Sequence, residues 1–316
     1  MPADPDLTTE GSAASGASEA ATTSATELSQ DRYTNFKLHS YYRSSSSWRV
    51  RVALESKSIP YATIPVNLLE SEQTSASHAE LNPMLQVPVL ECTDTSTGRA
   101  ARITQSLAII DFLEEIFPSR GGSLLPRGAG ASDPALRAAI REMAEVINSG
   151  IQPMQNLSTF RQIDADSGGA MNGKDFAKGG IEKGLGAAEK LAVISRKKDA
   201  ARAGAAGPFV MGTFAPTLAD ACVVPQLYNA RRFGVDVDEL CPNLIEAERA
   251  SLDHPWFVRS HPDRQPDAPP TDNNNAAAAA TTAAVAAKRN GDKGECERGA
   301  SAGDDEEQEK KKARAE

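Results

Sequence analysis

Several things are scarce in this 316-residue chain, and each scarcity removes a class of function. No stretch approaches the ~18 consecutive apolar residues of a membrane-spanning helix, so no membrane span is expected. Basic residues are the minority: 34 Lys and Arg stand against 43 Asp and Glu, a formal net charge of -9. A nucleic-acid binder normally presents a basic face, and this balance argues against one. The four cysteines (Cys92, Cys222, Cys241, Cys296) have no paired spacing, which fits neither a disulfide framework nor a zinc site. The four histidines (His39, His78, His254, His261) show no metal-ligand spacing, so no metal is expected. Unpaired cysteines suit a reducing, cytoplasmic setting. The N-terminus lacks the basic-then-apolar pattern of a secretory signal. It is rich in Ser, Thr and Ala, but Asp4, Asp6, Glu10, Glu19 and Glu27, with no Arg before Arg32, disfavour a transit peptide.

Large apolar side chains are also nearly missing from both ends. Residues 1–34 are Ser, Thr, Ala and acids, and residues 266–316 run from PDAPP through Asn and Ala tracts into GDDEEQEKKKARAE. Such segments bury too little surface to offset the entropy of ordering, and both are expected to be disordered tails. Hydrophobic residues make up 40% of the chain, enough for a core in the body between the tails. That body has room for two modest domains, 35–119 and 127–265.

The first half mixes strand and helix signals. Residues 37–42, 61–66, 86–90 and 102–104 read as strands, with Asp94, Ser96 and Gly98 as hairpin material before the last. Residues 48–57 read as a helix buried on one side, and 106–116 as a helix with Leu107, Ile110 and Leu113 on one face, stopped by Pro118. The order is strand–helix–strand, a connection, then hairpin and helix, as in an α+β, thioredoxin-like domain. The second half is all helical. Asp133-Pro134 opens a helix that carries Leu136, Ile140, Met143 and Ile147, and Pro153 kinks or breaks it. A glycine-weakened helix covers roughly 174–195. Thr217 and Asp220 form a capping box for another, to about 233, with Pro225 inside it.

Three motifs carry chemistry. Ser44, Ser45, Ser46 and Ser47 sit between a strand end and a helix start. Helix N-termini present free N–H groups, and a hydroxyl there donates to a thiolate; plain caps and loop formers give the same composition. Gln86-Val87-Pro88-Val89 enters a strand, where Pro fits either a cis bond or a sheet edge. Gln105-Ser106 opens a helix and serves either as carboxylate holder or as ordinary cap.

Taken together, LHSYYRSSSSWRVRVALESKSIPYATIPVNLLE, LNPMLQVPVLE and ITQSLAIIDFLEE resemble the N-terminal domain of the zeta-class glutathione transferases. INSGIQPMQNLS, PTLADACVVPQLYNARRFGVD and HPDRQPDAP resemble that class's helical domain, in the same order. The resemblance covers about residues 36–270 and implies glutathione transferase architecture, a homodimer, glutathione as cofactor, and maleylacetoacetate isomerisation in tyrosine and phenylalanine catabolism. Dehalogenation of small α-haloacids is the enzymatic alternative. A non-catalytic adaptor is the other. By motif, Ser44 matches the hydroxyl that contacts the glutathione sulfur, with Ser45 beside it. Ser46 stands where animal members commonly have Cys, so thiol reactivity of the protein at that position is not expected. Ser47, Trp48 and Arg49 complete the motif as further cofactor-binding candidates; Arg49 suits either a substrate carboxylate or a structural or ion-pair role, and Arg43 is a further carboxylate candidate. Val87 resembles the residue that pairs with the tripeptide backbone, Gln105 and Ser106 the γ-glutamyl clamp, and Gln73 another glutathione contact. Gln152, Asn156, Leu157 and Ser158 match contacts from the helical domain. Arg232 matches an arginine assigned to a substrate carboxylate.

Overall fold

The computed structural model describes residues 32–126 and 133–270. Most of both expected tails lies outside the described residues. Residues 32–34 and 266–270, assigned to the tails from composition, are seen: the first strand already begins at Tyr33, and Asp267 accepts the Tyr42 amide at 2.8 Å.

The first half is β1 (Tyr33–Ser40), α1 (Ser45–Ser56), β2 (Tyr61–Pro65), α2 (Ala76–Leu81), β3 (Val89–Asp94), β4 (Arg99–Thr104) and α3 (Ser106–Ile116). The four strands form one sheet in the order β2-β1-β3-β4. β1 runs parallel to β2, with Phe36 beside Tyr61, and antiparallel to β3, with Leu38 beside Leu90. A helical crossover between parallel strands followed by an antiparallel hairpin is the thioredoxin-like arrangement the element order implied. The hairpin turn is held by Asp94, which accepts from Ser96 N at 2.9 Å and Gly98 N at 2.8 Å. Several boundaries differ from expectation: β1 starts at Tyr33 rather than 37 and β4 at Arg99 rather than 102, and two more shifts bear on the site. β3 starts at Val89 rather than 86, since Pro88 has no N–H to give to the ladder; the Val87–Pro88 bond is cis. The helix after β1 starts at Ser45 rather than 48, because the serines cap and enter it.

α1 was expected to bury one side. It is buried all round, from Ser45 through Ser56 apart from Ser46 and Glu55, because α3, α7 and α10 all pack on it. That burial includes Arg49 and Arg51. Every Arg51 donor group is used: on Ser260 O at 3.0 Å, Ser40 Oγ at 3.1 Å and Tyr42 O at 3.0 Å. Trp48 Nε1 donates to Ser260 Oγ at 2.9 Å. The WRVR sequence thus straps the end of α10 to the end of β1 and the loop after it.

The second half comprises α4 (Pro134–Asn148), a 3-10 turn at Gln152–Gln155, α5 (Leu157–Asp166), α6 (Gly173–Ala203), α7 (Leu218–Arg232), α8 (Val237–Leu240), α9 (Pro242–Leu252) and α10 (Pro255–Ser260). Asp133 caps α4 through Ala135 N at 2.8 Å, and Ile140, Met143 and Ile147 are fully buried. The Pro153 signal marks a break: α4 ends at Asn148 and the chain turns. α6 is longer than its glycines suggested. A Cβ at Gly184 would lie 2.2 Å from Ile151 Cγ1, and one at Gly180 2.7 Å from Met154 Sδ. The glycines therefore let α6 lie against the 151–154 turn, and the packing offsets their low helix propensity. α7 carries the expected capping box, Thr217 N donating to Asp220 Oδ2 at 2.7 Å. α2, α5, α8, α9 and α10 are short or weakly patterned and were not read from the sequence.

Candidate active site

A cleft of about 970 Å³ opens between the sheet half and the helical half. Its walls are loop ends and helix starts. From the first half come Ser44, Ser45, Ser46, Gln73, Val87, Gln105 and Ser106, and from the second Gln152, Asn156, Leu157, Ser158 and Arg232. Residues from six separated stretches of the sequence therefore share one cavity.

Ser44 is the N-cap of α1, and its Oγ accepts the Ser47 amide at 3.2 Å. Capping uses a lone pair and leaves the hydroxyl proton free; no described residue accepts it. Ser45 is placed differently: its Oγ donates to Gln152 Oε1 at 3.0 Å. Ser46 is half-buried on the cleft wall. The next residues turn away, since each helical step rotates ~100°. Ser47, Trp48 and Arg49 are fully buried and do not line the cleft. These three, cofactor-binding candidates by the motif, stand behind the wall, and for Arg49 that is the structural alternative.

Arg49 has a distinct place in that support. It donates to Ser106 Oγ at 3.2 Å, Asn148 Oδ1 at 2.7 Å and Gln152 Oε1 at 3.0 Å. One buried guanidinium thus joins the start of α3, the end of α4 and the turn after it. Burial pulls its pKa below the ordinary arginine value, and its Nε has no partner.

At the opposite wall, Gln105 adopts φ 68 and ψ 119 just before α3. A non-glycine residue there is strained, and such strain is held where the site needs a sharp entry. No side chain caps the α3 N-terminus, so its first-turn N–H groups are open to an anion, beside the Ser106 hydroxyl. Val87 lines the cleft outside the β3 ladder, and the segment before it is fixed by His78 Nε2 and Asn82 Nδ2, both on Gln86 O. Gln73 Oε1 is buried without a partner on the same wall, an acceptor still requiring a donor.

A polar chain crosses the floor. Gln152 Oε1, already shared by Ser45 and Arg49, also accepts Gln155 Nε2 at 3.2 Å. Gln155 Oε1 accepts Asn229 Nδ2 at 2.9 Å, and Asn229 Oδ1 accepts Arg232 Nη1 at 3.0 Å. Arg232 is thereby tied to the serine wall through side chains alone.

The charge of the cleft opposes that of the protein. Its lining carries Arg43, Lys174 and Arg232 and no Asp or Glu. Among the described residues none of these three has an ion-pair partner, whereas Arg231, one position from Arg232, grips Glu248. Tyr41, also on the wall, has its pKa pushed up to about 12, chiefly by burial. Sequence reading missed five lining residues: Gln155, Asn229 and Phe233 lie inside quoted motifs but have no local signal of their own, and Phe160 and Lys174 lie outside every motif. Among the described residues no group of three or more His, Cys, Asp or Glu could hold a metal ion.

Comparison with known proteins finds relatives over most of the described chain. The family profile described as glutathione S-transferase, N-terminal domain, matches residues 43–116. A maleylacetoacetate isomerase of Rattus norvegicus is 39% identical over 234 residues, 73% of this chain and 94% of the relative. The crystal structure of a maleylacetoacetate isomerase from Anaeromyxobacter dehalogenans, with glutathione in its active site, is 43% identical at TM-score 0.62, covering 75% of this chain and 99% of that one. A maleylpyruvate isomerase, described as a bacterial glutathione transferase of the zeta class, superimposes at TM-score 0.62 with 31% identity, covering 74% of this chain and all of that one.

Proposed function

This chain belongs to the maleylacetoacetate isomerase family, the zeta class of glutathione transferases, and on that premise we propose that it isomerises maleylacetoacetate to fumarylacetoacetate using glutathione. The observation that carries the reading is Ser44: a helix-capping hydroxyl with a free proton, facing a cleft that has cations and no carboxylates.

The residues fit the cofactor. The open α3 N-terminus with Ser106 and Gln105 suits the γ-glutamyl end, Val87 suits the peptide backbone, and the unpartnered Gln73 Oε1 suits a ligand N–H. Gln152, Asn156, Leu157 and Ser158 close the far side. When bound, glutathione supplies a thiolate that adds to the cis double bond, permits rotation and leaves again. The chain's task is to favour the thiolate and hold the substrate. A thiol of pKa about 8.5 is mostly protonated at neutral pH, and lowering it by about two units takes roughly 2.7 kcal/mol. Ser44 donating to the charged sulfur gives about 1.5–3 kcal/mol, and the α1 N-terminus up to about 1 more. No separate base is required. Arg232 holds a substrate carboxylate, and Leu157 and Val87 add apolar surface to the cleft wall.

The deciding experiment is a maleylacetone isomerisation assay on the purified chain. A rate that requires glutathione is expected; its absence sinks the reading. We propose further that 35–119 and 127–265, extended by the ordered ends at Tyr33 and Asp267, are the two domains, that the protein is a homodimer in the cytoplasm, and that light scattering will give twice the chain mass. Among the described residues no helix is long and apolar enough to cross a membrane.

A further inference from the structure

Lys174 lies on the cleft wall with no motif to announce it and no ion-pair partner among the described residues. Its place is built rather than incidental. Asn172 caps α6 through Lys174 N at 2.9 Å and Asp175 N at 3.1 Å. Gly173 N donates to Asp164 Oδ1 at 2.7 Å. A Cβ at Gly173 would lie 2.2 Å from Phe160 O, so only glycine allows the start of α6 to sit this close to α5. Phe160 in turn meets Phe233 edge to face, centroids 6.3 Å apart, and Phe233 follows Arg232 directly. The chain of contacts is Arg232, Phe233, Phe160, Gly173, Lys174, and all but Gly173 line the cleft. Two cations therefore flank an aromatic pair.

We propose that Lys174 is the second carboxylate anchor of this cleft, holding the distal carboxylate of a flat, conjugated dianion whose other carboxylate lies at Arg232. The assignment rests on the isomerase reading and sharpens it to substrate class. Orientation follows from connectivity. Arg232 is tied through Asn229, Gln155 and Gln152 to the serine wall, where the sulfur must meet the double bond. The carboxylate next to that double bond belongs with Arg232. Lys174 is outside the hydrogen-bonded chain, exposed at the start of α6, and serves the far end. The two phenylalanines accept the planar, apolar middle. A cleft free of Asp and Glu repels neither end.

The test compares wild type, Lys174→Met and Lys174→Arg, all with glutathione, on maleylacetoacetate and on maleylacetone, which lacks the distal carboxylate. Lys174→Met should raise KM for the dianion about tenfold, the worth of one charge-assisted hydrogen bond, with kcat within about twofold. KM for maleylacetone should stay as in wild type, and Lys174→Arg should restore dianion binding. Calorimetric titration of the glutathione-loaded protein with a non-reacting dicarboxylate and its matching monocarboxylate should give the same split without turnover. An equal effect on both substrates, or none on either, overturns the assignment. A wild-type chain inactive on both overturns the isomerase reading, and is told apart because no variant is needed to see it.

Discussion

Gln155 and Gln226 face each other across the helical half as a closed amide pair: each Nε2 donates to the other's Oε1, at 2.8 and 2.9 Å. Both side chains are buried. Gln155 Oε1 is also the acceptor for Asn229, which carries Arg232. Replacing Gln155 by Leu strips acceptors from Gln226 and Asn229 and leaves buried donors unpaired, at about 1–3 kcal/mol. It also frees Asn229 to turn. Denaturant titration should show that loss, and KM for a carboxylate substrate should rise while KM for glutathione changes less. An unchanged KM would mean that Arg232 is placed without the amide pair.

The two serines at the mouth of α1 should separate cleanly. Ser44→Ala removes the free hydroxyl, so kcat/KM should fall roughly 10- to 150-fold. The pH–rate profile should shift upward by about one to two units, as the bound thiol loses its stabilisation. Ser45→Ala removes one of three donors to Gln152, and Arg49 and Gln155 remain. Its cost should stay near 0.5–1.5 kcal/mol with no shift of the profile. A shifted profile in Ser45→Ala alone would exchange the roles.

Much of this was legible in the sequence, and the reason is local. Ser44, Gln105-Ser106 and Thr217-Asp220 mark places where a helix begins, and a helix start is written within three or four residues. The Asp133 cap and the Pro153 break were readable for the same cause. Arg49 was not: ligand contact and a structural role were both open, and whether an arginine points into a cleft or behind its wall depends on Ser106, Asn148 and Gln152, which are 57, 99 and 103 positions away. Lys174 and Phe160 were silent for a similar reason, because their significance comes from Gly173 meeting the Phe160 carbonyl. The glycines of α6 even misled, since low propensity was visible and the close approach of Ile151 was not.

Lys57 and Glu114 form a buried ion pair at 3.1 Å, both almost fully enclosed. Glu114 also accepts from Leu124 N at 2.8 Å and Ser123 Oγ at 2.6 Å, and Leu124 O accepts the Leu218 amide at 2.8 Å. The pair therefore fixes the segment that leads out of the sheet half. Lys57→Met leaves the carboxylate buried without its cation and should destabilise by about 3–5 kcal/mol. Adding Glu114→Gln removes the stranded charge and keeps an acceptor for Leu124, so the double variant should recover part of the loss. A double variant less stable than Lys57→Met would refute the charge argument.

Acid should weaken the C-terminal part of the fold through two histidines that serve as caps. His254 Nδ1 accepts the Trp256 amide at the start of α10, and His261 Nδ1 accepts the Asp263 amide. Both acceptors exist only on a neutral ring. Burial holds both pKa values below the ordinary 6.5. A base with a depressed folded pKa takes up its proton first in the unfolded chain, so its contribution is complete above 6.5 and is lost as pH falls from there toward the folded value. Asp220 acts in the opposite sense: burial raises it from 3.8 to about 6, so between 6 and 4 acid favours the folded form through this group. The wild-type slope is a net of these terms. Replacing both histidines by Asn, which caps well and does not titrate, isolates their share. The thermal midpoint of His254→Asn/His261→Asn should fall less than wild type between pH 7 and 5. Parallel curves would show that neither cap titrates in the fold.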